Sequence, residues 1–197
     1  MASTSARSAT NGPGRPRDPH KREAVLAAVR DLIIADGYGA ATIQAISERS
    51  GVSRPTIYKN WGDRLSLLEE ALYSDRSDDP VPDTGTIEGD LTILVGELVA
   101  DLSRPEMQRG LASLHADVIE LRGQESPYWA ATLSRWGLVF AAASGRGELK
   151  ASAVASRARL ALHMALGSLL LMSRDRSYSR RRLSREISSV LCRGLFA

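Results

Sequence analysis

Thr42–Arg64, TIQAISERSGVSRPTIYKNWGDR, holds two short helical patterns separated by a glycine turn. The first begins at Thr42 and runs to Arg49, with Ile43 and Ile46 facing inward. Ser50-Gly51-Val52 then makes a tight turn in which Gly51 can take a positive φ that other residues resist. Ser53 is a good N-cap, and Pro55 falls in the first turn, where its missing N–H costs nothing. The second helix points Ile57 inward and stops near Asn60, where Gly62-Asp63 breaks the pattern and Asp63 caps the next helix. Two helices joined in this way form a helix-turn-helix. It needs a small residue at the crossing, here Ser47, and an apolar lock, here Ile46, Val52 and Ile57. The second helix then presents Arg54, Thr56, Tyr58 and Lys59 outward. Arg can bond a guanine edge in bidentate fashion, Thr can touch a thymine methyl, and Tyr and Lys can reach phosphate.

Outward from this core the same 3.6-residue period continues. On the N-terminal side Val25, Leu26, Val29, Leu32 and Ile33 predict a helix from about Pro19, ended by Gly37 and Gly39. On the other side Leu65, Leu68 and Leu72 predict a fourth helix. Residues 1–18, rich in Ser, Thr, Gly and Pro, read as a flexible basic arm. The acidic, proline-containing segment Asp75–Thr84 marks a boundary, so residues 19–75 form the helix-turn-helix domain with its linking helix, and 76–197 a second domain. Five more helices are expected there, over about 86–102, 103–121, 126–145, 149–173 and 179–195, the second opened by a capping box between Ser103 and Glu106. With no alternating strand pattern, the chain is expected to be all-α. It reads as a three-helix DNA-binding unit followed by a larger helical bundle, about nine helices in total.

Composition agrees. The 197 residues are 43% hydrophobic and 25% charged but only 5% aromatic, which favours helices over a β-sandwich. No apolar run reaches membrane-spanning length and no signal peptide opens the chain, so a cytoplasmic protein without membrane association is expected. A single cysteine, Cys192, excludes an intramolecular disulfide and a cysteine-based zinc site, and the three histidines form no ligand-spaced cluster. No metal or cofactor is expected. The net charge of +3 conceals a division. Residues 1–64 carry ten basic against six acidic side chains, 65–125 four against fourteen, and 126–197 twelve against three.

The segment Thr42–Leu67 resembles the TetR family of bacterial regulators, whose signature is close to T-x-x-I-A-x-x-A-G-V-S-x-x-T-[IL]-Y-x-x-F-x-x-K-x-x-L. Thr42, Ile46, Gly51, Val52, Ser53, Thr56, Ile57, Tyr58 and Leu67 match in register. Ser47 and Ser50 stand where Ala is usual, Trp61 where Phe is usual, and Arg64 where Lys is usual, each keeping size or charge. The resemblance covers roughly residues 19–75. It implies a homodimer that binds a palindromic double-stranded operator, acts as a repressor, and is released by a small molecule in the larger domain. Ser53–Asn60 would then be the recognition helix, Thr42, Tyr58 and Arg64 backbone contacts, and Arg54 and Thr56 base readers, with two recognition helices about 34–36 Å apart.

Beyond the motif the residues leave choices open. Gly14-Arg15-Pro16-Arg17 resembles the core of an AT-hook, so Arg15 and Arg17 enter a narrow minor groove or bind any polyanion. Trp129, Trp136 and Phe140 form an aromatic stripe that is either core or the wall of an effector pocket, completed by Met107, Leu111, His115 and Met164. An effector in such a wall would be apolar or aromatic. The last two helices, with small residues from Ala153 to Ser168 and the stripe Leu183, Ile187, Leu191, are expected to form the dimer interface. Two other functions compete: a dimeric DNA-binding protein without an effector, and an enzyme built on a helical bundle. No nucleophile–base pair, carboxylate pair or metal cluster has the spacing the last would need.

Overall fold

The computed structural model describes residues 19–73, 79–122, 126–172 and 179–195. Those residues form nine α-helices and two short 3-10 turns, with no strand among them. Helix α1 spans Pro19–Asp36 and buries Val25, Leu26, Ala28, Val29, Leu32 and Ile33 along one stripe. A 3-10 turn over Tyr38–Ala40 leads into α2, Ile43–Ser50. Helix α3 covers Arg54–Trp61 and α4 Arg64–Leu72. Asp63 caps α4 where the sequence places it, its Oδ1 accepting from Ser66 N at 2.7 Å. Thr42, expected as the first residue of α2, caps that helix instead, with Oγ1 accepting from Ala45 N at 3.1 Å. Helix α1 packs against α2 and α4, and α3 is wedged against both of those.

Five longer helices follow: α5 (Ile87–Leu102), α6 (Pro105–Arg122), α7 (Pro127–Gly145), α8 (Val154–Met172) and α9 (Arg180–Leu195). Helix α5 packs against α9 and α7, α7 against α8, and α8 against α9. The expected capping box at the start of α6 does not form. Ser103 serves the preceding helix, donating its hydroxyl to Val99 O at 2.6 Å, while Glu106 is engaged by Arg104 at 3.1 Å. Helix α8 also begins later than its apolar pattern suggests, because Ala151–Ala153 adopts a 3-10 turn first.

The start of α5 is tied down by charge. Thr86 Oγ1 caps Gly89 N, and Glu88 and Asp90 lie in the first turn, where the helix dipole favours anions. Asp90 has no exposed surface, yet its oxygens accept from Thr84 N, Thr84 Oγ1 and Arg146 Nη2 at 2.6–2.9 Å. Full pairing is what makes a buried carboxylate tolerable. Arg146, in the turn after α7, also donates to Glu148, whose second oxygen accepts from Ile87 N at 2.9 Å.

Helix α6 stands between the two halves. It packs on α1, α4 and the Tyr38–Ala40 turn. Gly110 lets it come close: a Cβ there would lie 3.0 Å from a Leu72 methyl and 3.4 Å from Ile33. Arg104 donates to Leu72 O at the end of α4, and Arg109 to Ile34 O and Ala35 O at the end of α1.

Candidate nucleic-acid interface

Helix α3 is fixed by its inward side. Ile46 and Ile57 are fully buried and Val52 nearly so, as the motif requires. Gly51 ends α2 in the left-handed region with φ 68°, and Ser50 Oγ accepts from Val52 N at 3.2 Å. At the far end Trp61 Nε1 donates to Glu70 Oε2 at 3.0 Å, and Arg22 of α1 pairs with the same carboxylate at 2.7 Å. Arg22 thus braces α1 against α4.

The outward side of α3 carries Arg54, Tyr58 and Lys59, all exposed, with Tyr58 at 51%. Arg54 and Tyr58 are four residues apart and share a face. Among the described residues no carboxylate pairs with Arg54 or Lys59. Thr56 is turned partly inward, and its hydroxyl lies 2.8 Å from that of Ser53, so Ser53 engages a side chain instead of capping a backbone amide. Thr42 is exposed at the N-terminus of α2. Arg15 and Arg17 lie outside the described residues.

Arg64 has a more internal setting than the motif suggests. Its Nε donates to Ala41 O at 2.8 Å and its Nη2 to Tyr38 O at 3.0 Å, and its guanidinium sits 4.9 Å from the centre of the Tyr38 ring. Asp117 of α6 approaches Arg64 Nη1 at 3.6 Å and accepts from the Tyr38 hydroxyl at 2.7 Å. Burial first, then that hydrogen bond and the Asp117 charge, push the Tyr38 phenol far above its ordinary range, so it remains a donor. Sequence reading missed Tyr38 and Asp117. They are 79 positions apart, and no local pattern links them.

The residues expected around an effector separate into two groups. Met107, Leu111, Trp136 and Phe140 are buried together in the core. Trp129 is half-buried and stacks on His163, ring centres 5.9 Å apart and 5° from parallel. His115 is exposed on α6, and Met164 is 41% exposed. Met164 lines an open groove of about 190 Å³ between α8 and α9, with Leu183, Ile187, Val190 and Leu191. Among the described residues no three His, Cys, Asp or Glu side chains gather closely enough to hold a metal ion, and no helix is long and apolar enough to cross a membrane.

Comparison with known proteins bears on this arrangement. The pattern of bacterial regulatory proteins of the tetR family matches residues 25–71, and that of the tetracyclin repressor-like C-terminal domain matches residues 81–182. The helix-turn-helix-type transcriptional regulator YdeS of Bacillus subtilis is 37% identical over 94 residues, 47% of this chain and 48% of that protein. The chain thus spans about half the length of the curated relatives it matches. A TetR-family regulator from Mesorhizobium loti superposes with a TM-score of 0.66 at 20% identity, covering 92% of this chain and 98% of its own. FadR of Bacillus subtilis, solved with stearoyl-CoA, gives 0.61 at 16% identity, covering 86% and 96%. With its helix-turn-helix of α2 and α3, nine helices among the described residues and both domain patterns matched, the chain belongs to the TetR family of bacterial regulatory proteins.

Proposed function

We propose that this chain is a homodimeric transcriptional repressor that binds a palindromic operator and is released by a small apolar or aromatic effector. The observation that carries the reading is the exposed face of α3. Arg54, Tyr58 and Lys59 stand outward on a helix whose opposite side is locked by Ile57. In this reading Arg54 and Thr56 read bases, and Thr42, Ser53, Tyr58, Lys59 and Arg64 meet the backbone, with Arg15 and Arg17 reaching the minor groove. Residues to about 75 act as the reading head, and residues from about 76 hold the effector and the partner copy. Dimerisation runs through α8 and α9, a face supported by the exposure of Leu160, Met164 and Val190. The protein works in the cytoplasm as a regulator rather than a catalyst.

An apolar effector class is supported by the side chains that α5, α6, α7 and α8 bury, which are mostly aliphatic and aromatic. Two fold relatives deal with such molecules: FadR was solved with stearoyl-CoA, and AlkX of Dietzia, at 18% identity and a TM-score of 0.60, is implicated in n-alkane biodegradation. A second reading, an operator-binding dimer with no effector, is favoured by the complete burial of Phe140 and near-complete burial of Trp136, which fill the interior themselves.

The test is selection of genomic fragments by the purified protein, followed by titration of the best site at several salt concentrations. A palindrome whose binding falls at least about tenfold on Arg54→Ala or Tyr58→Ala supports the reading, since a base or phosphate contact is worth about 1–3 kcal/mol. Uniform binding of all fragments with only a steep salt dependence would overturn it.

A further inference from the structure

We propose that Asp117 competes with an operator phosphate for one edge of the Arg64 guanidinium, so that α6 sets DNA affinity through a single carboxylate. The inference deepens the operator-binding reading above and rests on it. A guanidinium offers five N–H donors in a rigid fork. Two of its nitrogens are committed within the reading head itself: Nε to Ala41 O and Nη2 to Tyr38 O. Both carbonyls belong to the turn before α2, and the Tyr38 ring lies beneath the group. Asp117 is therefore not what seats Arg64. Its short hydrogen bond goes to the Tyr38 hydroxyl, and its distance to Nη1, 3.6 Å, is that of an ion pair without a hydrogen bond.

That leaves Nη1, which faces only the Asp117 carboxylate, as the edge no backbone carbonyl holds. The Arg64 side chain is 31% exposed and that of Asp117 32%, so solvent, and a ligand from solvent, can reach the pair. The position favours an anion. Ala41, whose carbonyl holds Nε, immediately precedes Thr42, the exposed cap of α2, where helix amides and the dipole also attract phosphate. A phosphate oxygen there would form a charge-assisted bond with Nη1. Asp117 opposes this in two ways: it holds the same cation, and its own negative charge faces the incoming one. Because Asp117 rides on α6 while Arg64 is anchored to the reading head, displacement of α6 changes this opposition without unseating the guanidinium.

The test measures operator affinity for the full-length protein and for Asp117→Asn, Arg64→Gln, the double variant, and Glu120→Gln. Glu120 is exposed on the same helix and controls for loss of a general negative charge. Asp117→Asn keeps size and is expected to tighten binding by about three- to tenfold for the dimer, the range of two partly exposed ion pairs. In the Arg64→Gln background that gain should vanish, and Glu120→Gln should give clearly less. If Asp117→Asn is unstable by thermal melting, Asp117→Ser makes the same comparison. Weaker or unchanged binding by the Asp117 variants, or a gain that survives Arg64→Gln intact, overturns the proposal while operator binding stands. Failure of the unaltered protein to bind any selected site would instead strike down the operator reading, and this inference with it.

Discussion

At the scale of single residues, arginines carry the structure's long-range decisions. Arg146 joins Asp83, Asp90 and Glu148, groups from segments up to 63 positions apart. The Ile87 amide, then the Arg146 guanidinium, hold the Glu148 carboxyl below the usual carboxylate range. A group whose pKa is depressed by folding stabilises the protein fully above its unfolded value, about 4.3, and loses that contribution as pH falls through the folded value. Glu148→Gln should therefore be less stable than the unaltered protein at pH 7, and urea titrations at decreasing pH should show the difference narrowing below about pH 4.3. A difference that stays constant with pH would mean that the Glu148 charge plays no part. The inward positions of the helix-turn-helix were legible in the sequence because Ile46, Val52 and Ile57 follow a local spacing. The settings of Arg64 and Arg146 were not, since their partners are chosen by folding rather than by neighbourhood.

At the scale of elements, period and caps located the helices, and the misplacements are instructive. Ser103 and Glu106 have capping-box spacing, but Arg104 between them takes the Glu106 carboxylate, and the Ser103 hydroxyl turns back to the Val99 carbonyl. A one-dimensional pattern cannot register that competition. Helix α1 shows the complementary case. It has no basic residue in its last turn, so its terminal carbonyls lack an internal cation. Arg109 of α6 supplies one from outside, donating to Ile34 O and Ala35 O. Replacing Arg109 by Ala should lower stability by about 0.5–1 kcal/mol, a modest value because the side chain is exposed. Arg109→Lys should recover part of that loss, since a single ammonium reaches the carbonyls without the fork. Urea unfolding followed by circular dichroism measures both; equal loss in the Ala and Lys variants would assign the effect to aliphatic packing instead.

At the scale of the whole molecule, the uneven charge along the chain acquires a structural meaning. Part of the basic final third folds back on the acidic middle: Arg135 of α7 bonds Glu97 of α5 at 3.0 Å and Asp79 O at 2.7 Å, and Arg146 bonds Asp83 and Asp90. Other basic side chains, Arg181, Arg185 and Arg193, stand exposed on α9, whose groove with α8 is apolar apart from Ser168 and Glu186. In the proposed dimer, a two-fold interface across that groove would set each protomer's Val190, 54% exposed, against the same surface of its partner. An added cation there would be desolvated on burial against the partner, while costing an isolated protomer little, since the site faces solvent. Val190→Arg should therefore sediment as a monomer at concentrations where the unaltered protein is a dimer, with the same helical circular dichroism. Its affinity for a palindromic site should fall at least about a hundredfold, because the second half-site is then no longer bound at high effective concentration. A variant that remains dimeric would move the interface off α9. A variant that is monomeric yet binds the palindrome with full affinity would show that the two recognition helices need no interface between protomers to act together.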